Sequence, residues 1–236
     1  MASLTLPRTS HASFQNGMRR SAPLALSVAA YGLVWGALAG QAGLGLAETG
    51  LMSGLVFAGA AQFVVLNLWT ATAALPLGAI AAATLIVNLR FVLMSASMLP
   101  LFEREHTRGR WAKAFLISDE NWALTSAEQA QGRGSVGFLL GGGALVYLAW
   151  LASTVVGRIA GAAIGDPARW GLDFAFTATF LALLLGMWKG KASLMPWIVA
   201  AGTAVLAQAL LPGKWFIVVG GLSGSLAGAW QTEPAR

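Results

Sequence analysis

Seven stretches of predominantly apolar residues, each about 20 residues long, run through this chain. An α-helix needs about that many apolar residues to cross a bilayer, because it rises about 1.5 Å per residue. The run 138–156 is almost continuously apolar, whereas membrane strands alternate between apolar and polar residues. The pattern therefore predicts membrane-spanning helices. They cover residues 22–42, 48–70, 76–100, 135–157, 170–188, 193–211 and 214–230.

Composition and charge agree with a membrane protein. Hydrophobic residues make up 57% of the chain and charged residues only 10%, whereas soluble domains carry about 25% charged residues. We predict an all-α integral membrane protein, a helical bundle of about seven spans. Arg8, His11, Arg19 and Arg20 precede the first span, which predicts a cytoplasmic amino terminus. Residues 1–20 would form a disordered cytoplasmic arm.

Several classes of function are excluded by what the sequence lacks. The net charge is +6, but no basic cluster alternates with aromatic residues, so we expect no nucleic-acid binding. The chain has no cysteine, which excludes disulfides and cysteine-bound metals. It has no phosphate-binding G-x-x-x-x-G-K-[ST] loop, and both histidines lie outside the predicted spans. We therefore expect neither an enzyme nor a metal or cofactor site.

An internal repeat is indicated by two similar segments. GLVFAGAAQF at 54–63 and GLDFAFTATF at 171–180 agree at six of ten positions. A duplication predicts two three-helix repeats, residues 21–100 and 135–212, joined by a polar segment at 101–134 and followed by a final span and tail at 213–236. Secondary transporters are often built from such repeats, with the substrate bound where the repeats meet.

The polar segment leaves the topology open. Three crossings from a cytoplasmic amino terminus would put the basic residues of 104–113 outside, against the positive-inside rule. One solution is that the second span is a re-entrant element broken near Gly59. The other is that residues 114–125 enter the membrane. The sequence does not choose between them.

Arg90 is the principal candidate for substrate binding. It lies fourteen residues after Pro76 and ten before Pro100, or about 21 and 15 Å along a helix. An arginine at that depth costs about 2.5–3.5 kcal/mol on insertion scales and usually faces the bundle interior or a substrate path. The alternative is an arginine that reaches the membrane surface by snorkelling. Asn88 lies two residues earlier and therefore points to the opposite face of the helix.

Other polar and small residues of the spans complete the predicted site. Gln62 and Asn67 could hydrogen-bond a substrate or only join helices. The small residues Ala58 and Gly59 would let a substrate or a neighbouring helix approach the backbone. Three carboxylates, Asp119, Glu120 and Asp173, are candidates for proton coupling if they lie within the membrane. Otherwise they are solvated charges.

Four motifs in this chain resemble those of the AzlC family, the large subunits of branched-chain amino acid exporters. They are FAGAAQF at 57–63, VNLR at 87–90, SDENWAL at 118–124 and GLDFAF at 171–176, in the family's order and spacing. The resemblance extends over about residues 20–212. It implies proton-driven export of valine, leucine and isoleucine across the bacterial cytoplasmic (inner) membrane. It also implies a small AzlD-like membrane subunit as partner.

Three other functions remain open at this stage. The chain could be a membrane scaffold or auxiliary subunit without transport of its own, or it could transport another small metabolite. An ion channel is disfavoured because no filter signature is visible. The predicted mechanism is alternating access, in which Arg90 either receives the substrate carboxylate or pairs with an acidic residue that titrates.

Overall fold

The computed structural model describes residues 11–69, 75–102, 107–161, 190–211 and 215–231, together with residues 181, 185 and 188. All regular elements in this part of the chain are helices. A short 3₁₀ helix, Gly190–Ser193, precedes the ninth α-helix. The α-helices are α1 (His11–Gln41), α2 (Leu46–Leu55), α3 (Gly59–Trp69), α4 (Leu77–Ser97), α5 (Leu99–Phe102), α6 (Thr107–Ala114), α7 (Asp119–Ala130), α8 (Val136–Gly161), α9 (Leu194–Leu210) and α10 (Trp215–Gln231).

Three of these helices, α1, α4 and α8, are long and apolar enough to cross a membrane. The predicted all-helical membrane class is therefore confirmed, but the count of seven spans is not. Helices α9 and α10 have 17 residues each. Residues 171–180, the second copy of the predicted repeat, lie outside the described residues, so the duplication stays a prediction.

The centre of the fold is the close pairing of α1 with α8, which is made possible by glycines on both helices. A Cβ atom at Gly36 would overlap the carbonyl oxygen of Thr154, and one at Gly157 would overlap that of Leu33. Small residues of this kind allow helix backbones to touch inside a membrane, where apolar burial alone gives no attraction between helices. Trp35 and Trp150 fill the space beside this contact and are almost fully buried.

The second predicted span, residues 48–70, is wrong as a continuous helix. The structure divides it into α2 and α3, with residues 56–58 in a non-helical conformation between them. The hydroxyl of Tyr147 donates to the carbonyl of Gly54 at the end of α2, at 3.0 Å. Trp150 packs directly over Gly59 at the start of α3. These contacts from α8 stabilise the interruption, which lies within the Gly59 region that the sequence identified.

The polarity of residues 103–113 predicts a surface loop, but the polar segment 101–134 is largely helical in its described residues. It contains α6 and α7, and α7 is fixed to α8 by a buried side chain. The Nδ2 atom of Asn121 donates to the carbonyls of Leu116 and Leu139, at 3.2 and 2.9 Å. Glycines 142 and 143 leave room for this side chain. The two hydrogen bonds of the buried Asn121 amide stabilise the packed position of α7 more than solvation of its polar residues would stabilise a loop.

The first helix also begins earlier than predicted. It starts at His11 rather than near residue 22, so half of the predicted arm is helical. The reason is tertiary packing, because Gly17 lies against the backbone of Phe138 in α8. Ser21 is fully buried beside Gly142 of the same helix.

Helices α9 and α10 form a separate antiparallel hairpin. Gly220 and Gly224 of α10 lie against Ala204 and Ala200 of α9. Thr203 and Ser223 hydrogen-bond across the pair. Helix α10 also approaches α4, which closes one side of a cavity.

We predict that Gly36→Ala destabilises the protein by about 1–3 kcal/mol, the usual cost of overpacking, because the added methyl group meets backbone that cannot rotate away. Thermal unfolding of the purified protein in detergent measures the effect. Gly50→Ala in α2 is the matched control, since nothing lies within 4 Å of its added methyl group. Equal melting temperatures for the two variants would contradict the close α1–α8 contact.

Candidate functional site

The guanidinium of Arg90 pairs with the carboxylate of Asp119, at 2.9 Å between Nη2 and Oδ2. Arg90 belongs to α4 and Asp119 to the first turn of α7. Both side chains are partly exposed, 33% for Arg90 and 46% for Asp119. The ion pair therefore combines two sequence motifs, VNLR and SDENWAL, in one place. Its partial exposure leaves both groups accessible to a ligand.

A second carboxylate contact lies directly beside this pair. The hydroxyl of Tyr31, from α1, donates to Oε1 of Glu120 at 2.7 Å. The start of α7 is fixed by Ser118, whose hydroxyl accepts from the backbone N–H of Asn121 at 3.3 Å. Carboxylates in the first turn of a helix are stabilised by the helix dipole. The geometry thus holds two acidic groups, one phenol and one guanidinium in a single polar cluster.

Arg90 also lines a large cavity in the described part of the chain, which has a volume of about 560 Å³. That volume lies within the usual range of small-molecule sites, about 300–1,000 Å³. Among the described residues that line it, Arg90 is the one that carries a charge. The lining residues come from α3, α4 and α10: Ala60, Val64, Asn67, Ile86, Val87, Leu89, Arg90, Leu93, Phe216, Val218, Gly221, Leu222 and Ser225.

The smaller cavity lies at the interruption between α2 and α3 and has a volume of about 30 Å³, enough for one water molecule. Its wall includes Asp119, Glu120 and Tyr31 together with Ala58 and Gly59. Ala60 borders both cavities. The Arg90–Asp119 ion pair therefore lies between the large apolar cavity and the small one, whose wall includes the two carboxylates.

The structure brings most of the predicted site residues into this region but divides them between the two cavities. Arg90 and Asn67 line the large one. The side chain of Asn67 donates to the backbone carbonyl of Phe63 at 3.0 Å. Ala58, Gly59, Asp119 and Glu120 line the small one.

Two predicted residues lie elsewhere, and a third is outside the described part of the chain. Gln62 is fully buried, and its Nε2 is 3.5 Å from the hydroxyl of Ser53, so it contacts α2 rather than a cavity. Asn88 lines neither cavity, as expected from its position opposite Arg90. Asp173 lies outside the described residues.

Sequence reasoning missed three contributors to the site. Tyr31 and Trp150 were counted only as span residues, although a tyrosine hydroxyl inside an apolar span must find a hydrogen-bond partner. The Tyr31 and Trp150 rings pack together, with centroids 5.3 Å apart. The sequence gives no indication that Phe216 and the other α10 residues line the large cavity, because that role depends on how the last hairpin packs against α4.

A separate buried carboxylate fixes the other end of α7. Glu128 is 1% exposed and accepts hydrogen bonds from Arg133, at 3.0 and 3.1 Å, and from Arg20 of α1. The hydrogen bonds from Arg133, aided by the positive charges of Arg133 and Arg20, hold the pKa of Glu128 below its ordinary value of 4.5 against the opposing effect of burial. This cluster is structural, because it joins α1 to α7 away from both cavities.

No cluster of three or more metal-ligating side chains occurs within the part of the chain that the structure describes.

We predict that Glu128→Gln lowers the melting temperature by several degrees near neutral pH. The reason is that the neutral amide cannot replace the charged hydrogen bonds that the carboxylate accepts from Arg133 and Arg20. A carboxylate with a lowered pKa contributes stability above its unfolded pKa and loses it as the pH falls through the folded value. The difference between wild type and variant should therefore shrink as the pH falls below about 4.5. Melting curves from pH 7 to pH 3 measure it.

Arg19→Gln, which removes an exposed charge next to Arg20, is the control for that series. It should alter the melting temperature little at any pH. A Glu128→Gln deficit that stays constant down to pH 3 would contradict the lowered pKa.

Comparison with known proteins adds independent information. A family model described as AzlC protein matches residues 23–164, more than half of the chain. An uncharacterized membrane protein of Archaeoglobus fulgidus is 29% identical, covering 94% of this chain and 97% of its own length. The inner membrane protein YgaZ of Escherichia coli is 27% identical, covering 97% of this chain and 96% of its own length.

A third relative has a name that states a function. The branched-chain amino acid transport protein AzlC of Bacillus subtilis is 25% identical, covering 88% of this chain and 80% of its own length. No solved structure matches the chain.

Proposed function

Because the chain belongs to the AzlC family of membrane proteins, we propose that it is a secondary transporter that exports branched-chain amino acids in exchange for protons. The proposal includes a small AzlD-like membrane subunit as partner. The substrate class is supported by the Bacillus subtilis relative, whose name is a branched-chain amino acid transport protein. Export, proton exchange and the partner subunit are what the sequence motifs imply by resemblance.

The observation that carries the proposal is the position of Arg90 at the edge of the large cavity. A branched-chain amino acid has an apolar side chain and a charged head group. The cavity offers apolar walls from three helices and one guanidinium. An arginine binds a carboxylate through two parallel N–H groups, so it fixes the orientation of the substrate as well as its charge.

The ion pair supplies a mechanism for proton exchange. Arg90 and Asp119 attract each other only while Asp119 is ionised, so a proton on Asp119 releases the guanidinium. The other titratable groups that face this carboxylate are Glu120 of α7 and, through Glu120, Tyr31 of α1. A proton on Asp119 would then compete with substrate for the ion pair, so that proton and substrate occupy it in turn as the protein changes its access from one side of the membrane to the other.

The interruption between α2 and α3 is the second feature that supports transport. Discontinuous helices are common at the binding sites of secondary transporters, because their ends expose backbone groups inside the membrane. Residues 56–58 adjoin the polar cluster of α7. A scaffold subunit would have no need of a non-helical segment beside a cavity and an ion pair.

We predict that Arg90→Ala abolishes efflux of branched-chain amino acids while the protein still inserts at a near-normal level. The physical reason is loss of the one charged group in the large cavity. The measurement is efflux of radiolabelled valine from cells that lack their own exporter, with growth on a valine-containing dipeptide as a second readout. Arg90→Lys should recover little, since an ammonium group lacks the paired N–H geometry.

Arg19→Ala, an exposed arginine of α1, is the matched control for charge removal and should leave efflux unchanged. Near-normal efflux from well-expressed Arg90→Ala would show that Arg90 does not bind substrate. If wild-type cells themselves show no efflux and no dipeptide resistance, the chain is a scaffold or transports another metabolite.

We predict that neutralising the proton carrier abolishes uphill export yet permits exchange of valine at saturating concentration, because the pocket remains. The variants are Asp119→Asn, Glu120→Gln and Asp173→Asn, and we expect the effect at Asp119. Efflux and counterflow in membrane vesicles, each at two external pH values, separate the two activities. If all three variants retain proton-driven accumulation, the coupling does not depend on these carboxylates.

A further inference from the structure

We infer that Arg90 and Asp119 together recognise a zwitterion, with the substrate α-carboxylate on the guanidinium and the substrate α-ammonium on the Asp119 carboxylate. In this arrangement the substrate lies between Arg90 and Asp119, and each of the two residues contacts the substrate instead of the other residue. The inference rests on the proposed function and deepens it, because it assigns each charged end of the substrate to one residue.

Arg90 has donor groups to spare for a carboxylate. Its Nη2 atom bonds Asp119, whereas its Nε atom is buried and has no hydrogen-bond partner within the described part of the chain. A buried donor without a partner is costly and needs an explanation. The substrate carboxylate supplies the missing acceptor, because Nε and a terminal nitrogen of arginine form a fork that matches two carboxylate oxygens.

Asp119, rather than Glu120, is the acceptor for the ammonium group. Glu120 already accepts from the Tyr31 hydroxyl at 2.7 Å. Asp119 directs one oxygen to Arg90, and 46% of its side chain is exposed. A carboxylate has about four acceptor positions, so Asp119 can hold an ammonium group with its second oxygen while the guanidinium turns towards the substrate.

Charge balance explains why the site would prefer a zwitterion to an ion. The ion pair is neutral overall, and so is an amino acid at neutral pH. When an amino acid binds between Arg90 and Asp119, every charge has a partner of opposite sign. An acid without an amino group would bind Arg90 and leave Asp119 unpaired, and an amine without a carboxylate would do the reverse. An unpaired charge in a region that is partly shielded from water is unfavourable.

The cavity beside Arg90 fixes where the rest of the substrate lies. Val64 of α3, Leu93 of α4 and Leu222 of α10 line it with aliphatic groups. A substrate whose carboxylate bonds Arg90 can extend its branched side chain among them. The head group then determines the chemical class of the substrate, and the cavity wall determines which side chains fit.

Three compounds with nearly the same carbon skeleton test this assignment. Valine carries both charges, its 2-oxo acid (3-methyl-2-oxobutanoate) carries only the carboxylate, and valinol carries only the ammonium. Each competes, unlabelled, for counterflow of radiolabelled valine in vesicles that contain the full-length chain and its small partner subunit. For the wild type, we expect the 2-oxo acid and valinol to compete about 10- to 100-fold less well than valine, the effect of one lost charged hydrogen bond.

Two variants separate the ends of the substrate. In Asp119→Asn, the preference for valine over the 2-oxo acid should disappear, because no carboxylate is left unpaired. In Arg90→Gln, whose transport should be lost, thermal stabilisation of the purified protein by each compound replaces counterflow, and the preference for valine over valinol should disappear because no guanidinium is left unpaired. Glu128→Gln, on the same helix as Asp119 but in a different ion pair, is the matched control and should keep both preferences. These ratios do not depend on how much protein is folded.

The results distinguish this inference from the proposed function. If the wild type exchanges valine but Asp119→Asn keeps the full preference for valine over the 2-oxo acid, Asp119 does not bind the ammonium group and the inference is wrong. Equal competition by all three compounds in the wild type would also overturn it, while leaving amino acid transport intact. If the wild type shows no valine counterflow, the proposed function is wrong, and the inference, which rests on it, is wrong as well.

Discussion

The close contact between α1 and α8 is the constraint on which the rest of the structure depends. Gly36 and Gly157 let the two backbones touch, and the tryptophans Trp35 and Trp150 pack beside the contact. Helices in a bilayer are not drawn together by apolar burial, because lipid is as apolar as their side chains. Close packing of small residues therefore has to supply the association. Helices α2, α3 and α7 pack against this pair.

The polar cluster is held in position by that frame. Asn121 fixes α7 to α8 through the backbone carbonyl of Leu139, and Glu128 joins α7 to α1. With α7 held at both points, Asp119 and Glu120 lie at its amino-terminal end beside Tyr31 and Arg90. The motif SDENW thus combines two roles, since the asparagine is structural while the adjacent carboxylates face the cavities. A short polar motif can therefore contribute both to helix packing and to the candidate site.

The interruption between α2 and α3 is a further consequence of packing against α8. Backbone groups that leave a helix inside a membrane need partners within the protein. The hydroxyl of Tyr147 supplies one by bonding the carbonyl of Gly54, and Trp150 covers Gly59. Gly59 makes this possible, because a Cβ atom there would lie 3.2 Å from the tryptophan ring. A non-helical segment is thereby held next to the ion pair.

The sequence by itself determined the helical membrane class and identified Arg90 as a candidate, because hydropathy and the cost of burying a charge are local properties that can be read residue by residue. It also identified Asp119 and Glu120 as candidates, through their position after an apolar stretch. Only the tertiary structure decided that Asp119 is the partner of Arg90 and that Tyr31, 89 residues away, bonds Glu120. It likewise decided that the apolar run 48–70 is two helices. Hydropathy alone does not predict an interruption that is stabilised by Tyr147 and Trp150 from a helix far away in the sequence. These features depend on contacts between segments far apart in the chain, and no local pattern records which segments will meet.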